Sequence, residues 1–452
     1  MLAGIFLATA AVTSLPAQPT NAPATRPAPL RLPNIIFILA DGLGYGDLGS
    51  YGQRNIQTPN LDRLAEGGAR FTSFYAGSPD KSASRAAFLL GRHGGHLSSP
   101  TNALDTATFA ASPTLAEILK QRGYHTVCIG EWAMPGAPHQ RGFDEWAGLL
   151  AEGEAQNFFP PYISRFDPAT PFDGKVVFGE NEGSKKGKLG PDIFTTAAKN
   201  FIKINKPDQC NQFRPMFLFL GYNLPRNGTG LPDSTPYNTK PWPAAEKQKA
   251  TAIALLDDYV GQIVDQLKAF KQESNTVIVV ASDGGPRLDG GVDAKFHRSA
   301  GGLKLDPSGL GEGNLRVPLI VSWPGTIRPG NVISQPWAAW DILPTLADIS
   351  GATMPDKLDG ISVLPSLAGQ SQTNRHEFLY WEQRASGFQQ AARMKDWKAL
   401  KAKPGKPAEI FSLAADFAEK TNLAAEQPET LKQLEEFLRT FPAPAAKAAR
   451  AH

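Results

Sequence analysis

Continuous apolar segments recur along the chain and are separated by segments with helical spacing of apolar side chains. Such segments are typical of strands buried on both faces of a parallel sheet. The apolar segments are residues 34–40, 216–220, 276–281 and 319–322. The helical segments are residues 60–67, 112–122 and 250–270. Because strand and helix alternate, the pattern predicts an α/β fold whose large domain has a mostly parallel central sheet sandwiched by helices.

The pattern changes near residue 372, where short strands and one amphipathic helix follow. One strand is predicted at each of 378–382, 391–400 and 409–413, and a helix is predicted at 428–440. We therefore expect two domains, a large one at 34–372 and a small α+β one at 373–441 with an antiparallel sheet and a closing helix. The Ala-, Pro- and Lys-rich tail at 442–452 is expected to be disordered.

The first 33 residues have a different composition from the rest. Residues 1–12 are apolar and lead to Ala17, as in a secretory signal peptide over 1–17, although no Lys or Arg precedes the apolar run. The alternatives are a wrongly assigned start codon or a membrane anchor, and the run is too short to span a bilayer. Residues 18–33 are expected to form a disordered linker. From this signal-peptide-like segment we expect export to the periplasm or the extracellular space, and we expect no membrane span.

Charge and cysteine content narrow the classes of function. The chain has 46 basic and 43 acidic side chains and a formal net charge of +3, so it lacks the basic excess of a nucleic-acid-binding protein. The two cysteines, Cys128 and Cys210, do not have metal-site spacing. Cys128 lies in a predicted buried strand and is expected to act as a small core hydrophobe, while a disulfide with Cys210 stays open.

Two carboxylates follow predicted parallel strands closely. Asp41 comes directly after the segment at 34–40, and Asp283 comes shortly after the segment at 276–281. Ligands of open α/β sheets bind beyond the carboxyl ends of the strands. The sequence therefore predicts a site at this edge of the sheet that contains both side chains.

A series of short motifs resembles the sulfatase family of the alkaline-phosphatase superfamily, in the family's order. The resemblance covers nearly the whole folded chain, and it implies the fold predicted above. It also implies a signature Cys or Ser oxidised to formylglycine, a calcium ion bound by three Asp and one Asn, and two Lys and two His that assist hydrolysis of a sulfuric ester. The motifs are 34–41, 43–49, Thr58–Asp62, Ser84-Arg85 with Gly91-Arg92, Arg141–Asp144, Ser282-Asp283, Arg316–Gly325, Asp341–Thr345, Leu358–Gly360 and Asp396–Lys398.

Most residues that carry the family's chemistry are replaced in this chain. Lys81 occupies the nucleophile position, four residues before Arg85, and a lysine cannot become formylglycine. Asp41 and Asp283 are each followed by glycine where the family has a second calcium ligand. Because calcium prefers six to eight oxygen ligands, no cofactor is expected, and weak calcium binding stays open. Glu131 replaces a lysine of the family motif.

Further replacements affect the residues that would contact sulfate. Ala133 and Arg226 stand where the family has histidines. For Arg226, anion binding and a salt bridge are equally supported. His93 could face the pocket, although a structural role is the better supported one, and His139 and His297 are expected to be exposed in loops.

The remaining charges predict a substitute for the metal. We hypothesise that the Lys81 ammonium takes roughly the place of calcium and pairs with Asp41 and Asp283, with Arg85 nearby, because those carboxylates are costly to bury unpaired. Glu131, facing the pocket, would weaken the binding of sulfate.

These substitutions leave three hypotheses on function. The favoured one is an exported, catalytically impaired or inactive sulfatase homologue that binds a sulfated glycan, an aryl or sugar sulfate, or a protein partner. The alternative is an active hydrolase of sulfate or phosphate esters with an altered mechanism. A purely structural remnant is the third. Fold resemblance alone does not decide among them.

Overall fold

A computed structural model describes residues 32–99, 101–169, 172–205, 214–226, 230–232, 236–384 and 387–442. The predicted signal peptide, nearly all of the linker and of the C-terminal tail, and Cys210 lie outside these residues. Cys128 is buried and has a free thiol. Among the described residues, no helix combines the length and apolar character needed to cross a membrane.

Strands form a ten-stranded sheet, a two-stranded sheet and a four-stranded sheet. In chain order the strands are β1 (Asn34–Ala40), β2 (Ala69–Phe71), β3 (Phe74–Tyr75), β4 (His125–Glu131), β5 (Glu145–Leu149), β6 (Tyr162–Asp167), β7 (Phe172–Val177), β8 (Met216–Gly221), β9 (Thr276–Ser282), β10 (Leu319–Ser322), β11 (Asn331–Ile333), β12 (Trp337–Ala338), β13 (Leu379–Gln383), β14 (Gln389–Met394), β15 (Trp397–Lys401) and β16 (Glu409–Ser412). The large sheet has the order β11-β2-β10-β9-β1-β8-β4-β5-β6-β7, and its central block from β9 to β5 is parallel.

Helices cover both faces of this sheet. In chain order they are α1 (Pro59–Glu66), α2 (Lys81–Leu90), α3 (Gly94–Leu97), α4 (Thr106–Ala111), α5 (Leu115–Gln121), α6 (Gly190–Ile204), α7 (Ala244–Ala269), α8 (Glu312–Leu315), α9 (Ile342–Ser350), α10 (Leu364–Leu367) and α11 (Pro428–Arg439). Strand β1 shows why both faces are apolar. Its alternate side chains Ile35 and Phe37 join the core under α2, α5 and α9, and Ile36 and Ile38 join the core under α1, α6 and α7. The predicted α/β sandwich is confirmed.

The C-terminal residues form the predicted antiparallel sheet, β13 to β16, with α11 packed against β14 and β15. The apolar segment 391–400 becomes two strands, because Lys395 adopts a φ of 52° and turns the chain between β14 and β15. Trp381 of β13 packs against Tyr75 and Trp340 of the large domain, and its indole N–H donates to the Ala76 carbonyl at 2.8 Å.

The carboxyl ends of β1, β9, β8 and β4 meet at one edge of the central sheet. The Asp283 amide donates to the Ala40 carbonyl at 3.1 Å, and the Gly42 amide donates to Asp283 Oδ1 at 3.1 Å, so the ends of β1 and β9 are held together. Helix α2 begins at Lys81 above this edge. The elements therefore bring Asp41, Asp283, Glu131 and Lys81 to the same edge of the sheet.

Candidate functional site

Lys81 is held at the centre of the site by its position on α2. Asp80 caps the helix, its side chain accepting the Ala83 N–H at 2.9 Å, so Lys81 is the first helical residue. Its ammonium donates to Asp41 Oδ2 at 2.7 Å and to Glu131 Oε1 at 2.6 Å. The predicted pair with Asp41 is present. The second partner is Glu131, where we expected Asp283.

Arg85 lies one turn further along α2 and takes the partner that was predicted for Lys81. Its Nε donates to Asp283 Oδ2 at 2.9 Å and its Nη2 to Glu131 Oε2 at 2.8 Å, while Nη1 donates to the Glu131 carbonyl at 2.6 Å. The guanidinium is completely buried. Arg85 reaches Asp283 because its side chain carries a fork of donors, whereas the shorter Lys81 ends between β1 and β4.

Glu131 does not face the pocket as a free acid. It ends β4, is completely buried, and receives hydrogen bonds from both Lys81 and Arg85. Glu131 is therefore part of a buried ion-pair network, and its effect on sulfate binding stays a prediction.

Two further arginines and one glutamate complete the cluster. Arg226 Nη2 donates to Glu152 Oε1 at 2.9 Å, and its Nη1 lies 3.5 Å from Asp41 Oδ2, so the salt-bridge role of Arg226 is the one observed. Arg287 Nε donates to Asp41 Oδ1 at 3.3 Å, and its Nη2 lies 3.8 Å from Glu152. Neither Arg287 nor Glu152 was predicted from the sequence. A signal existed for Arg287, because it follows Asp283 by four residues in a loop at the ligand-binding edge.

The eight side chains named above form what we call the central ion-pair cluster: Asp41, Glu131, Glu152, Asp283, Lys81, Arg85, Arg226 and Arg287. Its four carboxylates and four cationic groups balance when all are charged. Burial opposes ionisation of Asp41, but Lys81, Arg287 and Arg226 outweigh burial and lower its pKa to about 2. Burial raises the pKa of Glu131, an effect that Arg85 and Lys81 offset only in part. With all eight groups charged the cluster has no net charge, so it attracts an anion only weakly.

The cluster does not fit the calcium ion that the family resemblance implies. Calcium requires six to eight oxygen ligands. The carboxylate of Asp41 already contacts Lys81, Arg226 and Arg287, and the carboxylate of Asp283 is bound by Arg85 and the Gly42 amide. A cation placed between these carboxylates would meet the ammonium and guanidinium groups at close range.

A small cavity of about 140 Å³ opens beside Lys81. It is lined in part by Ser78, Asp283, Arg287 and Asn314. The Arg287 side chain is 33% exposed, while that of Lys81 is 4% exposed, so Arg287 is the more accessible of these two cations.

The histidines lie away from this cluster. His93 is buried and caps α3, and its ring packs against Trp340 and Tyr380, so its structural role is the observed one. His297 was expected to be exposed, which is wrong: 2% of it is exposed, because it packs against Trp242. His139 is half-buried and stacks on a phenylalanine ring, so its predicted exposure is also wrong.

Protonation of Asp41 is expected to destabilise the protein in acid. A carboxyl whose pKa is lower in the folded state stabilises the fold above its unfolded pKa, and this contribution is lost as the pH falls through the folded value. For Asp41 the pKa is 3.8 in the unfolded chain and about 2 in the folded protein. Between about pH 4 and pH 2 we expect a loss of about 2 kcal/mol in the free energy of unfolding, measured by urea titration. The Asp41→Asn variant should lack this loss of stability in acid. If the free energy of unfolding falls equally with pH in both proteins, the loss does not come from Asp41.

Comparisons with known proteins place the chain beside sulfatases. The profile of the family described as Sulfatase matches residues 33–352, and that described as N-sulphoglucosamine sulphohydrolase, C-terminal, matches residues 306–441. Bovine arylsulfatase A is 31% identical over 370 residues, which is 77% of this chain and 70% of that protein. Canine N-acetylgalactosamine-6-sulfatase is 31% identical over 376 residues, 77% of this chain and 68% of that protein.

Two solved structures are also similar to this chain. The crystal structure of Ps i-CgsB in complex with k-i-k-neocarrahexaose superposes with a TM-score of 0.76 at 29% identity, covering 91% of this chain and 94% of that one. The PsFucS1 sulfatase from Pseudoalteromonas sp. superposes with a TM-score of 0.74 at 23% identity, covering 93% of this chain and 92% of that one, which is a likeness of fold.

Proposed function

This chain belongs to the sulfatase family, whose general activity is the hydrolysis of sulfuric esters, and from this premise we propose that it binds sulfated sugars without hydrolysing them. In this proposal the fold is retained, and the central ion-pair cluster takes the place of the catalytic groups. Export, expected from residues 1–17, belongs to the same proposal.

The main support for the proposal is that the Lys81 ammonium is held in two buried ion pairs. Lys81 stands at the nucleophile position, and its ammonium is bound by Asp41 at 2.7 Å and Glu131 at 2.6 Å. An ammonium in two ion pairs has no lone pair with which to attack sulfur. Its side chain is also 4% exposed, which keeps a substrate away from the nitrogen.

Charge balance gives independent support. Transfer of a sulfuryl group needs cationic groups aimed at the negative charge that develops in the transition state. Here Arg85 is bound by Glu131 and Asp283, and Arg226 is bound by Glu152. These guanidinium groups are already neutralised by carboxylates, so they can stabilise a transition state only if they first lose those partners.

The class of ligand is proposed from the relatives and from the mouth of the site. One relative is an N-acetylgalactosamine-6-sulfatase by name, and the similar solved structure holds an oligosaccharide. Arg287 is partly exposed beside the cavity of about 140 Å³, where a sulfate group could contact it. The sulfate would compete with Glu152, so we expect weak binding.

The hydrolysis test uses the purified full chain with aryl sulfate, aryl phosphate and N-acetylgalactosamine 6-sulfate, with and without Ca²⁺. We expect no release of sulfate or phosphate above that of buffer, and no heat of Ca²⁺ binding by calorimetry. Turnover that is retained through purification and altered in the Arg287→Gln variant would favour the alternative of an active hydrolase with a changed mechanism.

The binding test compares a sulfated N-acetylgalactosamine oligosaccharide with its desulfated form by calorimetry. Glu152→Gln should raise the affinity for the sulfated form by about threefold to tenfold, because it frees Arg226 and Arg287 from a partly exposed ion pair. Glu377→Gln changes an exposed carboxylate elsewhere and is the control. Equal binding of the sulfated and desulfated forms, or none of either, would contradict the proposed ligand and favour a protein partner or a structural remnant.

A further inference from the structure

A second group of metal-type side chains lies at the other end of α2 from Lys81. His93 precedes the short helix α3, His96 lies within it, and Asp359 approaches from the loop after α9. Ten residues of α helix span about 15 Å, so this group is separate from the central ion-pair cluster.

The three side chains are held by backbone contacts as well as by each other. The amides of Asp359 and Gly360 donate to the Gly91 carbonyl at 3.0 and 3.1 Å, which fixes the loop against the end of α2. The His93 amide donates to Asp359 Oδ2 at 3.0 Å. These contacts hold Asp359 and the backbone of His93 in place before any ligand arrives.

We propose that His93, His96 and Asp359 bind one divalent transition-metal ion of the Zn²⁺ type. One ligand atom from each residue lies within 4.8 Å of the other two. His93 Nε2 is 3.7 Å from Asp359 Oδ2, and His96 Nδ1 is 2.9 Å from Asp359 Oδ1. Two imidazoles and one carboxylate are a ligand set that Zn²⁺ accepts in tetrahedral geometry, with a fourth position for water.

The site is open to an incoming ion. The His96 side chain is 44% exposed, and His96 lines a cavity of about 400 Å³ together with Arg92, Ser112 and Lys357. An ion can therefore reach His96 from this cavity, and the neighbouring Asp359 side chain is 17% exposed.

The ring nitrogen that binds the ion must carry no proton. The His93 Nδ1 accepts the Gly95 amide at 3.1 Å, so neutral His93 carries its proton on Nε2. With the ion on Nε2, this proton moves to Nδ1 and the hydrogen bond from Gly95 is lost. In His96 the proton that faces Asp359 moves from Nδ1 to the exposed Nε2. Both rings remain neutral donors of a lone pair.

The competing role is purely structural. His93 and His96 both pack against Phe441, at 5.1 and 5.3 Å between ring centroids, so the group also anchors the segment after α11. A structural role requires no metal affinity, and nitrogen donors separate a Zn²⁺ site from one for Ca²⁺, which prefers oxygen ligands.

The test is a calorimetric titration of Zn²⁺ into the metal-stripped full chain, prepared without a polyhistidine tag. We expect one Zn²⁺ per chain, and Co²⁺ in its place should give the visible absorption of tetrahedral cobalt. His96→Gln should weaken Zn²⁺ binding by about 100-fold, because even groups that only support metal ligands change affinity by about tenfold to 100-fold. Asp356→Asn, an exposed carboxylate on the same cavity, is the matched control.

The outcomes separate the two roles. Zn²⁺ binding that is lost in His96→Gln, kept in Asp356→Asn and not reproduced by Ca²⁺ supports the proposal. Absence of Zn²⁺ binding, or equal binding in His96→Gln, overturns it. If the unsubstituted chain takes up no Zn²⁺ and His96→Gln only lowers the melting temperature, the histidines form a structural pair and the proposal is overturned. Neither result depends on whether the protein binds or hydrolyses sulfated sugars.

Discussion

Replacing Lys81 by methionine is expected to lower the free energy of unfolding by about 3–5 kcal/mol. The variant keeps the length of the side chain and removes the ammonium. Asp41 and Glu131, which are completely buried, would then lack their shortest ion pairs and would face each other. Removal of one partner from a buried ion pair leaves an uncompensated charge, which costs far more than the pair itself contributes. Urea unfolding at pH 7, followed by circular dichroism, measures the change.

A matched control separates burial from charge. Lys120 forms an ion pair with Asp144 at 2.9 Å, and the Lys120 side chain is 48% exposed. Lys120→Met should therefore lower the free energy of unfolding by less than about 1 kcal/mol. The double variant Lys81→Met with Glu131→Gln removes both charges and should recover part of the loss. Similar costs for Lys81→Met and Lys120→Met would mean that solvent or another group compensates the Lys81 site.

The location of the cluster could be predicted because it follows from the order of elements. Asp41 and Asp283 each end an apolar segment, and the carboxyl ends of parallel strands share an edge. The pair of Lys81 with Asp41 could be predicted as well, but the second partner of Lys81 could not. It depends on the reach of Lys81 and Arg85 from α2, and on the place of β4 beyond β8, which puts Glu131 within 2.6 Å of Lys81.

Residues on loops were the least predictable part. Glu152 follows β5, a strand that the apolar pattern did not reveal, so the position of this carboxylate at the edge had no basis in the sequence. His297 was expected to be exposed because it lies in a loop, but Trp242 and Glu246 bury it from distant parts of the chain. Periodicity reports the burial of regular elements, and it carries no information about loops that pack on one another.

Replacing Lys398 by methionine is expected to cost a similar amount, about 3–5 kcal/mol, at the junction of the two domains. Lys398 lies on β15, and its ammonium is 3.1 Å from Glu312 of α8 and 2.9 Å from Glu419. These side chains are fully buried, so the variant leaves two carboxylates near each other without their shared cation. Burial opposes ionisation of Glu312, but Arg316 and Lys398 outweigh burial and lower its pKa to about 2, so Glu312 remains charged at pH 7. Urea unfolding measures the loss.

The same variant tests whether Lys398 docks the small domain or stabilises the whole chain. Lys401→Met, three residues later at the half-buried end of β15, is the control and should have little effect. Because Glu312 belongs to the large domain and Lys398 to the small sheet, loss of the ammonium should weaken their contact first. Hydrogen exchange should then accelerate in β13 to β16 before it accelerates in β1 and β9. Equal acceleration in both sheets would mean that the two domains unfold as one cooperative unit, with Lys398 as part of their common core.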